Sequence, residues 1–381
     1  MKPGAQFLCA FVLCVWATAS MAHKPSDSYL TLSQPAQGAG LDGQWDIALR
    51  DLQHAISLDS NGDGLITWAE VKSRRDAIAG YAFRHLRIEA IARGDRGECP
   101  AHARDMLFDE HVDGGYAVLR FDAACSFRPA QLAVHYGLLF ELDPNHRGLL
   151  DIRSGGVSQA LVVGRDNPSV TLNLRSADWG RQFLAFVDEG IWHIWKGYDH
   201  ILFLLTLLLP AVVIRDHGRW RPRLSFRNAM IDVLKIVTAF TLAHSLTLTL
   251  AVNGLVNLPS RWVESGIALT VLLGALNNLY PIVRERRWAV AFAFGLIHGL
   301  GFASVLADLG LRSWNLAVAL VGFNAGVEVG QFAIVLVFVP LAFGLRETRF
   351  YRCAFMPGGA ALIGGVAAYW LAIRVSGISL Q

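Results

Sequence analysis

From about Leu184 onward the chain carries six apolar runs of about 20 residues or more, the length an α-helix needs to cross the hydrocarbon layer of a membrane. That fixes the fold class expected of the second part: an all-α bundle of six transmembrane helices within residues 189–381. The runs fall at 190–214, 230–252, 263–282, 288–309, 314–344 and 353–375, and the fifth is long enough to tilt or break near Gly326, Gly330 or Pro340. Composition agrees, with 53% apolar residues, 17% charged residues and a mean hydropathy of +0.38 over 381 positions. The net charge of +3 is small and its arginines gather between the runs, so nucleic acid is excluded as a partner.

Charge also orients the bundle. The connector after the first run holds Arg215, Arg219, Arg221, Arg223 and Arg227, the one after the third Arg284, Arg286 and Arg287, and the one after the fifth Arg346, Arg349 and Arg352. The opposite connectors hold only Arg261 and Arg312, and the tail only Arg374. The positive-inside rule places the arginine clusters in the cytoplasm, with the N-terminal part and the C-terminus on the other face. Residues 1–22 agree with this. Lys2, the apolar stretch from Phe7 to Trp16 and the small residues of Ser20-Met-Ala22 read as a secretory signal, cleaved to leave His23 first. The expected location is a bacterial inner membrane, multi-pass and in contact with lipid, with residues 23–188 in the periplasm. In that oxidising compartment Cys99 and Cys125 are expected to pair, since Cys9 and Cys14 leave with the signal and Cys353 lies in a membrane run.

Ionisable groups inside apolar runs are costly and mark function. The first run contains His193-Ile-Trp-Lys-Gly-Tyr-Asp199-His200, and on one helix His193 and His200 return to the same face after two turns. The second run carries His244 and the fourth His298 in Phe294-Gly-Leu-Ile-His298-Gly. The fifth presents Asn324, Glu328 and Gln331 on one stripe. This mixed nitrogen and oxygen set suits a divalent transition metal, namely nickel, zinc, cobalt or iron, and the scarcity of Met and Cys in the runs argues against copper(I). Each group taken alone is equally compatible with a neighbouring Ser, Thr or Asn that simply satisfies it.

The His193-x5-Asp199-His200 signature, the Phe294-Gly-Leu-Ile-His298-Gly segment and Phe323-Asn-Ala-Gly-Val-Glu328-Val-Gly-Gln331 together resemble the HupE/UreJ family of hydrogenase and urease accessory proteins. The resemblance covers the membrane part and implies a secondary nickel permease serving metal uptake or metalloenzyme maturation. Short members of the family carry a second histidine and a glutamate soon after the motif at His298, where this chain has Gly301-Phe-Ala-Ser; Glu328 is the carboxylate that remains.

Residues 23–188 read mainly as strands. Short β-rich stretches at 43–49, 116–121, 132–136, 160–163 and 170–174 are separated by Gly, Asp, Asn or Pro, which suggests a sandwich-like, mainly-β domain with a helical insert. The insert carries a twelve-residue EF-hand pattern over 59–70: side-chain oxygens at Asp59, Asn61, Asp63 and Glu70, a glycine at Gly64 and a backbone carbonyl at Leu65. All-oxygen ligation selects Ca2+. Asp143-Pro-Asn145-His146-Arg147-Gly148 copies part of the rhythm, but Arg147 occupies the fifth position, so a tight turn is expected there. His23 adds a possible N-terminal metal chelate of amine and imidazole.

Two functions remain. In the first the bundle is a metal permease, and with no GxxxxGK loop ATP does not drive it. In the second the same residues hold a fixed zinc whose water attacks a lipid or peptide bond. Transport is the primary expectation, and no catalytic residue is assigned.

Overall fold

The computed structural model describes residues 26–376 apart from 112–113, 156, 217–218, 257, 284 and 303–312. The segment 1–22 read as a signal and His23 lie outside the described residues. The chain divides into a strand-rich unit built on residues 24–186 and a helical unit built on residues 187–303 and 322–381.

In the first unit, β1 (Asp27–Gln34), β2 (Leu41–Ala48), β5 (Ala101–His111), β6 (Gly114–Ala123), β8 (Arg147–Ser154) and β9 (Val157–Gly164) form one sheet in the order β5-β6-β2-β1-β8-β9. A second sheet runs β10-β7-β3-β4, from β3 (Leu86–Ala92), β4 (Asp95–Glu98), β7 (Gln131–Tyr136) and β10 (Ser169–Asn173). Pairing is antiparallel except between β1 and β8. Alternation supplies the core: Leu30, Leu32, Trp45, Ile47 and Phe121 from one sheet share a single buried cluster with Ile88, Leu132, Val134 and Leu172 from the other. Each of the five stretches read as strands from the sequence lies in or overlaps a strand, while β1, β3, β4, β5 and β8 were not foreseen. The helices α1 (Leu49–Ile56), α2 (Trp68–Ser73) and α3 (Arg75–Arg84) enter between β2 and β3. Cys99 and Cys125 form a disulfide, joining the chain just past β4 in one sheet to the chain just past β6 in the other.

A buried polar chain crosses this core. Trp45 Nε1 donates to Ser28 Oγ at 3.1 Å, Ser28 and Tyr136 share a bond of 2.5 Å, Tyr136 meets His146 Nε2 at 2.6 Å, and His146 Nδ1 meets Ser26 Oγ at 2.5 Å. Ser26 donates to Asp51 Oδ2 at 2.7 Å. An indole can only donate and a carboxylate only accepts, so every hydroxyl between them points the same way and His146 carries its proton on Nδ1. His146 is 1% exposed, and burial, with Arg147 beside it, holds its pKa down at about 3, below the ordinary 6.5. The unfolded chain therefore binds the extra proton first as pH falls. The contribution of neutral His146 is fully present above pH 6.5 and is lost between 6.5 and about 3, with a slope that approaches about 1.4 kcal/mol per pH unit. Hydrogen exchange of β1 and β8 amides in the full-length protein should show this loss of protection, and His146→Asn should flatten it. An unchanged pH dependence in that variant would contradict this assignment.

The helices that follow are α4 (Trp179–Lys196), α5 (Tyr198–Leu208), α6 (Phe226–Val252), α7 (Ser260–Leu279), α8 (Arg287–His298), α9 (Ser313–Leu345) and α10 (Met356–Ser376), the last entered through a π-helical turn at Tyr351–Phe355; all but 179–186 of α4 and 313–321 of α9 belong to the helical unit. Among the described residues, four helices are long and apolar enough to cross a membrane: 226–252, 260–279, 315–345 and 351–376. Of the six spans expected, the first and fourth runs give, among the described residues, the shorter apolar helices α5 and α8. The first run is broken at Gly197, whose extended backbone (φ −77°, ψ 92°) separates α4 from α5, and α5 ends at Leu208, just before Pro210. The fourth run closes as a helix at His298, before Gly299 and Gly301. The fifth stays continuous through Pro340, with no break at Gly326 or Gly330.

The arginine-bearing connectors meet at one end of this unit. Arg287 Nη2 donates to the Leu207 carbonyl at 2.8 Å, Arg346 Nε to that of Arg223 at 2.8 Å, and Arg352 Nη1 to that of Trp220 at 3.2 Å. Trp220 lies on a small hairpin, β11 (Val213–Asp216) with β12 (Arg219–Pro222). Arg223 is paired with Asp232 at 2.6 Å.

Candidate metal centre

Four imidazoles converge inside the helical unit. The ring of His193 near the end of α4 lies 4.6 Å from that of His200 in the first turn of α5 and 6.1 Å from that of His244 on α6. His298, at the end of α8, places its ring 5.1 Å from His200. One nitrogen each from His193, His200 and His244 falls within 4.8 Å of the others. His244 and His298 are fully buried, and His200 is 7% exposed.

The sequence expectation put His193 and His200 on one continuous helix. They come together instead across the break, because the extended Gly197 turns the chain between them. No other residue fits there: a Cβ on Gly197 would lie 2.6 Å from the His193 carbonyl and 2.8 Å from His200 Nδ1. The approach of α6 to α8 needs a second glycine. A Cβ on Gly295 would come within 2.5 Å of the Phe240 carbonyl, so its absence lets the helices bearing His244 and His298 touch.

Hydrogen bonds decide which nitrogen each ring turns inward. Asp199 Oδ1 accepts from His200 Nδ1 at 3.0 Å, as well as from the His200 backbone N at 2.9 Å. The proton of His200 is thus on Nδ1 and the lone pair on Nε2. Asn324 Oδ1 lies 3.3 Å from His244 Nδ1, which sets the same tautomer there. At His298 the order reverses. Thr270 spends its hydroxyl proton on the Ile267 carbonyl at 2.7 Å, so at 2.9 Å it can only accept from His298 Nε2, leaving the lone pair on Nδ1. His200 Nε2, His244 Nε2 and His298 Nδ1 are all buried and have no hydrogen-bond partner among the described residues. A buried, unmatched acceptor normally costs about 1–3 kcal/mol, so two within the three-histidine group, with a third on the neighbouring His298, call for an occupant. Neutral imidazole lone pairs are metal ligands, and the three-histidine group could hold a metal ion.

The remaining expected site residues lie around this group. Asp199 and Asn324 orient imidazoles. Glu328 accepts from Thr238 at 2.9 Å, and Gln331 from Thr241 at 3.0 Å, and neither belongs to the three-histidine group. Thr270 was not singled out from the sequence, because a lone hydroxyl in an apolar helix gives no sign of which neighbouring helix it faces.

In the strand-rich unit, residues 59–70 run from α1 to α2. Asp59 accepts from the backbone N–H of Gly62 at 2.7 Å and of Gly64 at 2.9 Å, and Asp63 from that of Leu65 at 2.8 Å, while Asn61 accepts from that of Asp63 at 2.9 Å. Glu70 closes the loop, bonded through one oxygen to the N–H and hydroxyl of Ser60 and through the other to those of Thr67. The Thr67 bonds foremost hold the Glu70 carboxyl down at about 2.

Residues 170–374 match the family described as HupE / UreJ protein. A comparison with curated proteins gave no match.

Proposed function

Because the chain belongs to the HupE/UreJ family, we propose that its helical unit is a secondary permease for a divalent transition metal of the nickel type, supplying metal uptake or metalloenzyme maturation. The observation that carries this function is the convergence of imidazoles on unmatched lone pairs between separate helices. His193, His200, His244 and His298 take the ion, one after another or in shared coordination, while Asp199, Asn324 and Thr270 hold the rings. A mobile cargo needs several modest sites rather than one deep one, and four rings spread over 4.6 to 6.4 Å between centroids suit a hand-over. Glu328 and Gln331 serve as polar groups on the α9 side of the path. The bundle lies in the inner membrane with its arginine-bearing end in the cytoplasm. The strand-rich unit and the C-terminus lie on the periplasmic side.

Reconstitution tests this directly. Proteoliposomes offered Ni2+, Co2+, Zn2+ and Fe2+ one at a time should show saturable uptake of at least one ion without ATP. A protein that retains one tightly held zinc per chain and moves none would instead favour an intramembrane hydrolase built on the same histidines.

We also propose that the loop 59–70 binds Ca2+ through Asp59, Asn61, Asp63, the Leu65 carbonyl and Glu70. Extracellular sites of this class bind at about 0.1–1 mM, so about 10 mM Ca2+ should stabilise the strand-rich unit by about 1.4–2.7 kcal/mol. Asp59→Ala should abolish that gain in thermal melting. A gain that survives in the variant would remove calcium from this loop.

A further inference from the structure

A layer of phenyl rings underlies the imidazoles, one turn away on each of three helices. Phe203 follows His200 by three residues on α5, Phe240 precedes His244 by four on α6, and Phe294 precedes His298 by four on α8. The chain directions make these offsets equivalent. Helix α5 runs from His200 toward Leu207, whose carbonyl takes the Arg287 guanidinium, whereas α6 and α8 start at the arginine-bearing end and run toward His244 and His298. Each phenyl group therefore stands between its histidine and that end. The rings also touch one another: Phe203 lies 5.1 Å from Phe240 and 5.9 Å from Phe294 between centroids. They meet the histidines as well, with Phe203 at 4.9 Å and Phe240 at 5.2 Å from His298. Phe203 and Phe240 are 2% and 1% exposed, and Phe294 is half-buried.

We propose that Phe203, Phe240 and Phe294 form a gate between the imidazole layer and the arginine-bearing end, closed in this structure. The gate rests on the permease function proposed above. A hydrated cation cannot pass touching phenyl rings, and a bare one finds no ligand in an apolar constriction to replace its lost water, so release on that side requires the rings to part. The three rings sit on three different helices, and α6 and α8 meet at Gly295, one residue from Phe294, so a small shift between these helices parts the layer.

Phe294 is the residue to vary, because its ring is the least buried of the three. Purified wild-type, Phe294→Ala and Phe294→Trp proteins are loaded with Ni2+ or Zn2+, and both metal stoichiometry in detergent and downhill flux in proteoliposomes are measured. Phe294→Ala should bind the wild-type complement of metal and raise flux by about tenfold or more, and Phe294→Trp should bind as well and slow it. Should the alanine variant fail to purify as a monodisperse protein, a slowed and fully loaded Phe294→Trp carries the same conclusion. Wild-type flux in metal-loaded variants would overturn the gate alone. Absence of bound metal and of flux from the wild-type protein would overturn the permease function, and the gate with it.

Discussion

His200→Ala and His244→Ala are each expected to lower transition-metal affinity by about 100-fold or more and to abolish saturable uptake, because each removes an inward lone pair that nothing else at the site supplies. Asp199→Asn, Asn324→Ala and Thr270→Val should fall in a milder class, about 10–100-fold, since they leave the nitrogen present and release only its orientation. The grading separates ligands from orienting groups. Thr270→Val is the most informative of the three, because the change is nearly isosteric and withdraws only the acceptor that keeps the His298 proton on Nε2. Equilibrium dialysis of purified protein, with melting curves as a folding control, measures all five. Wild-type affinity in both histidine variants would place the metal elsewhere.

Removal of the disulfide should have the largest effect on stability. Cys99 and Cys125 are 26 residues apart, and closing a loop of that size restricts the unfolded chain by about 3–4 kcal/mol. The bridge ties the strand ends of two different sheets, so its loss also frees β5 and β6, the strands between its ends. Cys99→Ser with Cys125→Ser should lower the melting temperature of the strand-rich unit by about 7–14 °C. An unchanged midpoint in the double variant would mean that packing of the two sheets alone holds these strand ends.

Much of this was written in the chain in a form that local rules can read. The apolar runs gave the helical part, because a membrane demands length and apolarity that few other folds need. The histidines within them stood out because burying an imidazole is costly, and the structure gathers those of the first, second and fourth runs. The stretches around Val134 and Leu172 alternate cleanly, those around Trp45 and Phe121 are rich in strand-forming residues, and each lies in a strand. By contrast β5 has residues exposed on both faces along most of its length, so no alternation marks it. The break at Gly197 was missed because apolarity continues across it, and a window that averages hydropathy does not register one glycine with an aspartate two residues later. Glu328 was grouped with the histidines on composition, whereas its carboxylate is bonded to Thr238. Its destination depended on the rotation of α9, which that helix's almost uniformly apolar sequence does not encode. The phenyl layer was legible only in hindsight: Phe240-Thr-Leu-Ala-His244 and Phe294-Gly-Leu-Ile-His298 share a spacing, but its meaning required the opposite direction of α5.

X-ray absorption at the edge of the bound metal, on purified full-length protein loaded with nickel or zinc, tests the imidazole centre most directly. Three or more imidazole nitrogens should surround the ion, with the multiple-scattering signature of histidine rings, and the number should fall by one in His244→Ala. A shell made only of oxygen ligands, unchanged by that substitution, would show that the ion is bound away from the histidines.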